Sequence, residues 1–257
     1  MASPASLWET FATAFTQANV PTVTWVEMLL SVAAAVGLSI PRRSWRYFGL
    51  LATVTHELGH AFAALTSGQR LSGIRVRLDH SGTTTTYSRS RLAAAWSCFW
   101  GYPVPALAGA AFVWCGLNGW GPAAMAVSAL VLAASLLFLR NLAGFVITGA
   151  AIGGAGALTF LAPPPAVGHV AVIFGLALLV AAVRDLLKLT HVHLRRRDRL
   201  SSSDAYLLYR ATSVPSGIWI GLFTLLVAGA WLVAWQPISV ILLQGASGAG
   251  VAHRLVA

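Results

Sequence analysis

The residues best placed to do chemistry are Thr55-His56-Glu57-Leu58-Gly59-His60, set inside an apolar run. His56 and His60 stand four residues apart. On a helix that spacing puts both imidazoles on one face, one turn apart, where they can grip a single metal ion. Glu57 follows the first histidine and can reach a water held by that metal as general base. The surrounding run, from about Tyr47 to Leu65, is long and apolar enough to cross a bilayer. Ionisable residues at that depth are costly and usually functional. The chemistry expected is metal-assisted hydrolysis inside a membrane.

Composition agrees. The chain has 257 residues, 57% of them hydrophobic and only 9% charged, against about 25% charged in a soluble domain. Its net charge of +10 is mostly arginine placed between apolar segments. That pattern reads as a set of topology signals rather than a nucleic-acid footprint. Cys98 and Cys115 lie in one apolar segment, too far apart along a helix to pair, and read as packing residues. Met1 to Val20 holds Glu9 and no Lys or Arg, so no basic leader region is expected there. Leu7, Trp8, Phe11, Ala14 and Phe15 are spaced like an amphipathic helix lying on a membrane surface.

Hydropathy gives seven spanning candidates, near 22–40, 47–66, 93–116, 121–139, 142–162, 167–190 and 214–235. The expected fold is an all-α polytopic membrane protein of about six to eight transmembrane helices, with a short β-hairpin after the metal-binding helix. Residues 1–21 read as an interfacial segment, 22–235 as one transmembrane domain, and 236–257 as an apolar, Gly-rich tail able to form a partial eighth element. Gly144, Gly149, Gly153, Gly154 and Gly156 predict close helix packing in the fifth segment. Arg70, Arg75, Arg77, Arg89, Arg91 and Arg140 fall on one side of such an array. So do Arg184, Lys188, Arg195, Arg196, Arg197, Arg199 and Arg210, which makes that side cytoplasmic for a multi-pass protein of the cell membrane. Arg42, Arg43 and Arg46 fall opposite, against the rule.

Leu71 to Leu78 alternates apolar and polar, Asp79-His80-Ser81-Gly82 is a turn signal, and Thr83 to Tyr87 is β-branched. Strands are expected near 71–78 and 83–88. This hairpin either simply connects two helices or offers an edge to an extended substrate.

A catalytic zinc site commonly needs a third protein ligand. The position six residues after His60 is Thr66, which excludes a third histidine there. Glu9, Glu27 and Glu57 are the only glutamates, so no glutamate follows the motif. Asp79 belongs to the turn, Asp198 to a run of arginines, and Asp204 follows three serines at a helix start, where it reads as an N-cap. Asp185 lies inside the sixth segment at about the depth of His60, and is the expected third ligand; the alternative is an ion pair with Arg184 or Lys188. His80, His169, His191 and His193 lie in the turn, near the outer surface, or among basic residues, and are weaker candidates. Asn141 lies in the metal's layer, where it either donates to substrate or oxyanion or caps its helix.

A membrane-embedded His-Glu-Leu-Gly-His, a hairpin, then an apolar helix with Gly101-Tyr102-Pro103 and Gly109, resembles the site-2 protease family, in its short bacterial branch without a PDZ domain. The resemblance covers roughly residues 45–220. It implies Zn2+ held by His56, His60 and an aspartate on a later helix, with Glu57 as catalytic base. It also implies transmembrane protein substrates, cut near the cytoplasmic face within the lipid bilayer. Typical members carry that aspartate in Asn-Pro-Asp-Gly or Leu-Asp-Gly; this chain has Arg184-Asp185-Leu186. The competing classes are an inactive metal-binding scaffold and a transporter. Intact Glu57 argues against the first, and spans nearly free of ionisable groups argue against the second.

Overall fold

A computed structural model describes residues 4–195, 200–201 and 203–255. The described chain is a helical array with one two-stranded antiparallel sheet. Helix α1 (Pro4–Ala14) leads to α2 (Trp25–Ser39) and α3 (Arg42–Thr66). The hairpin β1 (Arg70–Val76) and β2 (Gly82–Tyr87) follows, as alternation predicts. Then come α4 (Arg91–Phe99), α5 (Pro103–Leu117), α6 (Gly121–Ser135), α7 (Leu142–Leu161) and α8 (Pro164–Arg195). Short α9 (Asp204–Thr212) and long α10 (Ser216–Leu255) close the chain.

Four helical stretches are long and apolar enough to cross a membrane, or six spans in all if each bent pair counts as one. The expected seven become six because 22–40 and 47–66 join as one bent pair, while a second bend falls inside the expected segment 93–116. Helices α2 and α3 meet at 88°, and α4 and α5 at 45°. Pro41 makes the first corner: it lacks an N–H to continue α2, and its extended backbone starts α3. Arg42, Arg43 and Arg46 are therefore not a loop but the opening turns of α3. The corner is tied from α8, where Arg184 donates to the carbonyls of Ser39 (2.8 Å) and Ile40 (3.2 Å) and lies 4.0 Å from the Trp45 ring. Arg184 thus satisfies two helix-end carbonyls rather than pairing with Asp185.

Close helix packing also falls elsewhere than expected. Gly149, Gly153, Gly154 and Gly156 on α7 face open space. The tight approach is between α5 and α8, where Gly109 meets Gly175 and Gly116 meets Gly168; an added Cβ at Gly116 would stand 2.6 Å from the Gly168 carbonyl. Helix α8 supplies much of the buried core through Leu176, Leu178, Leu179 and Leu186. Helix α10 does not stop at 235 but continues through Pro237 to Leu255, so the expected tail is helical. The arginine-rich run at 196–199 lies outside the described residues.

The hairpin lies along α3, burying Ile74 and Val76 against Val54 and Ala61. Its turn is set by Asp79, whose carboxylate accepts from the Ser81 amide (3.0 Å) and hydroxyl (2.6 Å), and by His80 at φ +65°. Those two Ser81 bonds hold the Asp79 carboxyl below its ordinary range. His80 stacks on Trp45, so the turn reaches the first turns of α3, and β2 passes Glu57.

Candidate metal centre

The metal pocket starts from α3. His56 and His60 project from one face, as their spacing requires, with their Nε2 atoms 3.1 Å apart. The carboxylate that meets them is Asp204, not Asp185. Its Oδ2 lies 3.2 Å from His56 Nε2 and 3.3 Å from His60 Nε2. His56, His60 and Asp204 are the metal-capable cluster among the described residues. Four ligands around zinc at about 2.0–2.1 Å stand about 3.3 Å from one another in a tetrahedron. The three edges found here fit that spacing, so these residues could hold such an ion.

Local sequence explains why Asp204 is available. Ser203, one residue earlier, is the N-cap of α9: its hydroxyl accepts from the Tyr206 amide at 3.3 Å. Asp204 is released from capping and begins the helix. Ala205 and Leu208 are fully buried, pinning α9 into the core. Burial alone would push the Asp204 carboxyl up, but His60 and His56 outweigh it and hold it well below the usual carboxylate range.

Asp185 sits on α8 within the electrostatic reach of His56. Its oxygens do not join the converging ligand atoms. Depth along α8 does not bring Asp185 to the two imidazoles, whereas α9, a short helix outside the spans, folds back to them. Asp204 was passed over because three serines before it looked like a capped helix start. That reading was right in kind and wrong by one residue.

The surroundings orient each group. The Ser97 carbonyl lies 2.8 Å from His60 Nδ1, which fixes that nitrogen as donor and leaves Nε2 for a metal. Cys98, expected to be mere packing, points its thiol at the Asp204 carbonyl (3.5 Å) and carboxylate (3.9 Å). Glu57 is 5% exposed, and its Oε2 accepts from the Thr84 hydroxyl at 2.6 Å. Gly82 lies against the same carboxylate, so β2 forms the roof over Glu57.

The bend between α4 and α5 is the opposite wall. Residues Trp100, Gly101 and Tyr102 form a turn there rather than helix. An added Cβ at Gly101 would run into the His60 ring and stand 2.7 Å from His56 Nε2, so only glycine fits.

Asn141 does not stand free at the metal. Its Oδ1 accepts from the Val76 amide (3.1 Å) and its Nδ2 donates to the Val76 carbonyl (2.7 Å). It makes no side-chain cap on α7 either. Together with Arg140, whose amide donates to the Ile74 carbonyl at 2.9 Å, it closes the outer edge of β1. The Asn141 amide is thus engaged on β1, where it stands in for a strand.

The chain matches the family model for Peptidase M50B-like proteins over residues 29–234 and belongs to that family, the site-2 protease type of metallopeptidase. It is accordingly a multi-pass membrane protein of a metal-dependent peptidase family. No curated protein and no solved structure matches the chain.

Proposed function

We propose that this chain is an intramembrane zinc peptidase that hydrolyses peptide bonds of membrane-spanning proteins near the cytoplasmic face. The observation that carries the reading is the triangle of His56 Nε2, His60 Nε2 and Asp204 Oδ2, with edges of 3.1–3.3 Å, beside the buried carboxylate of Glu57. Two imidazoles and a carboxylate are a donor set suited to zinc. When bound, zinc polarises the scissile carbonyl and acidifies a water.

Glu57 does the proton work. Its carboxylate takes a proton from water as the water oxygen bonds to the carbonyl carbon. It returns that proton to the amine nitrogen as the C–N bond breaks. One water is consumed, and a carboxylic acid and an amine leave. Thr84 holds one Glu57 oxygen and so sets the carboxylate's angle.

The substrate must be unwound, since a helical peptide bond is shielded and hydrogen-bonded. The outer edge of β2 has no backbone partner among the described residues, whereas β1's is closed by 139–141. An extended segment adding to β2 would pass over Glu57. The basic loops support cytoplasmic cleavage.

The test uses the full chain in detergent, with bound metal and cleavage of β-casein measured together. Glu57→Gln should keep its metal and lose about 10²–10⁴-fold in rate. His56→Ala should lose both. Equal cleavage by wild type and Glu57→Gln sinks the proposal and leaves a metal-binding scaffold.

A further inference from the structure

Tyr102 has no part in the roles assigned so far, yet it stands at the metal pocket. It lies in the turn between α4 and α5, directly after Gly101. Its ring meets the His56 ring edge-on at 4.9 Å and stacks on Phe223 at 5.1 Å. Phe223 is fully buried and itself packs on Phe99 at 5.3 Å. The ring is therefore clamped between a metal-binding imidazole and a rigid aromatic stack. Its hydroxyl has no hydrogen-bond partner among the described residues, although the His56 ring it touches meets the Asp204 carboxylate at 3.2 Å. The residue is half-buried and its hydroxyl is not closed off, so the ring is held in place while the donor stays accessible beside the metal-capable cluster.

We infer that Tyr102 is a catalytic residue whose hydroxyl donates a hydrogen bond to the carbonyl oxygen of the scissile peptide as that oxygen gains negative charge. The inference rests on the peptidase reading and deepens it. Asn141, the sequence's candidate for this task, has its amide engaged on β1. Tyr102 has both the proton and the preorganisation the task needs, because the clamped ring requires no rearrangement when charge develops. The proton stays on Tyr102 throughout; no bond to it forms or breaks.

The experiment compares wild type, Tyr102→Phe and Glu57→Gln as full chains in detergent, each loaded with zinc. Three quantities are measured: bound zinc, β-casein cleavage, and affinity for a peptide phosphonamidate, whose tetrahedral anion mimics the charged oxygen. Tyr102→Phe should keep full zinc, lose about 10²–10³-fold in kcat with KM little changed, and bind the phosphonamidate weaker by a similar factor. Tyr102→Phe binding the phosphonamidate as tightly as wild type overturns the inference, whether or not β-casein is cut. So does loss of zinc in Tyr102→Phe, which would make the ring a structural prop for His56. Failure of the peptidase reading looks different: Glu57→Gln then matches wild type in cleavage.

Discussion

Asp185 and Asp204 stand nineteen residues apart, the first inside α8, ten residues before its end, and the second at the start of α9. Both carboxylates act electrostatically in the neighbourhood of His56. Only one reaches it. Helix α8 is a long apolar span whose orientation is set by glycine contacts with α5 and by Arg184 reaching the α2 corner. Its residues cannot turn independently to serve a site. Helix α9 is nine residues long, begins at the site, and is anchored by Ala205 and Leu208 just behind its first residue. A short helix can aim its end, whereas a long span can only present a side.

The largest effect should come from exchanging the two carboxylates' fates. Asp204→Ala removes a ligand and should lose bound zinc and cleavage by at least about 10³-fold, while Asp185→Ala keeps its zinc. Metal analysis of both purified variants decides; the reverse pattern would break the comparison. Next is the facing wall. Gly101→Ala drives a methyl into both imidazoles and should weaken zinc about 10–100-fold with α9 untouched, as read by competition with a chelator.

Smaller still is Ser203→Ala. Losing the cap costs about 1 kcal/mol, or about fivefold in zinc affinity if α9 frays at its aimed end; Ser203→Thr should restore most of it. Ser203 also holds His193 Nε2 at 2.8 Å, so His193→Ala separates the two contributions. The smallest effect concerns a third carboxylate, Asp79, which is exposed and far from any ligand role. Its carboxyl is lowered by its Ser81 bonds, so the stabilisation of the turn is full above the ordinary aspartate range and fades as pH falls through the lowered value. Amide protection in the hairpin turn, with exchange referred to the intrinsic rate at each pH, should fall on acidification in wild type and be insensitive to it in Asp79→Asn.

What could be read from residues alone follows from periodicity. The pairing of His56 with His60 and the placing of Glu57 come from the 3.6-residue turn, and the hairpin from the alternation over 71–78, the turn signal at 79–82 and the β-branched run at 83–87. Asp204 was out of reach because its helix is too short and too mixed for hydropathy to place. The bends at Pro41 and Gly101 were hidden because each interrupts an apolar run without changing its composition. Asn141's grip on Val76 has no signature, since nothing in a sequence marks a side-chain amide as a substitute for backbone. Tyr102 carried only a family likeness; its stacking on Phe223 joins residues with no periodic relation.

The closed edge of β1 has a consequence for self-association. A bare ribbon has two edges, and copies can stack on both into growing sheets. Here residues 139–141 cover one side, so any assembly through the other stops at a single added strand. That remaining side is a run of threonines, Thr83 to Thr86, hydroxylated rather than greasy, and poorly suited to holding a copy of itself. The ribbon has one open edge, so pairing on it would end after one strand rather than extend into a fibre.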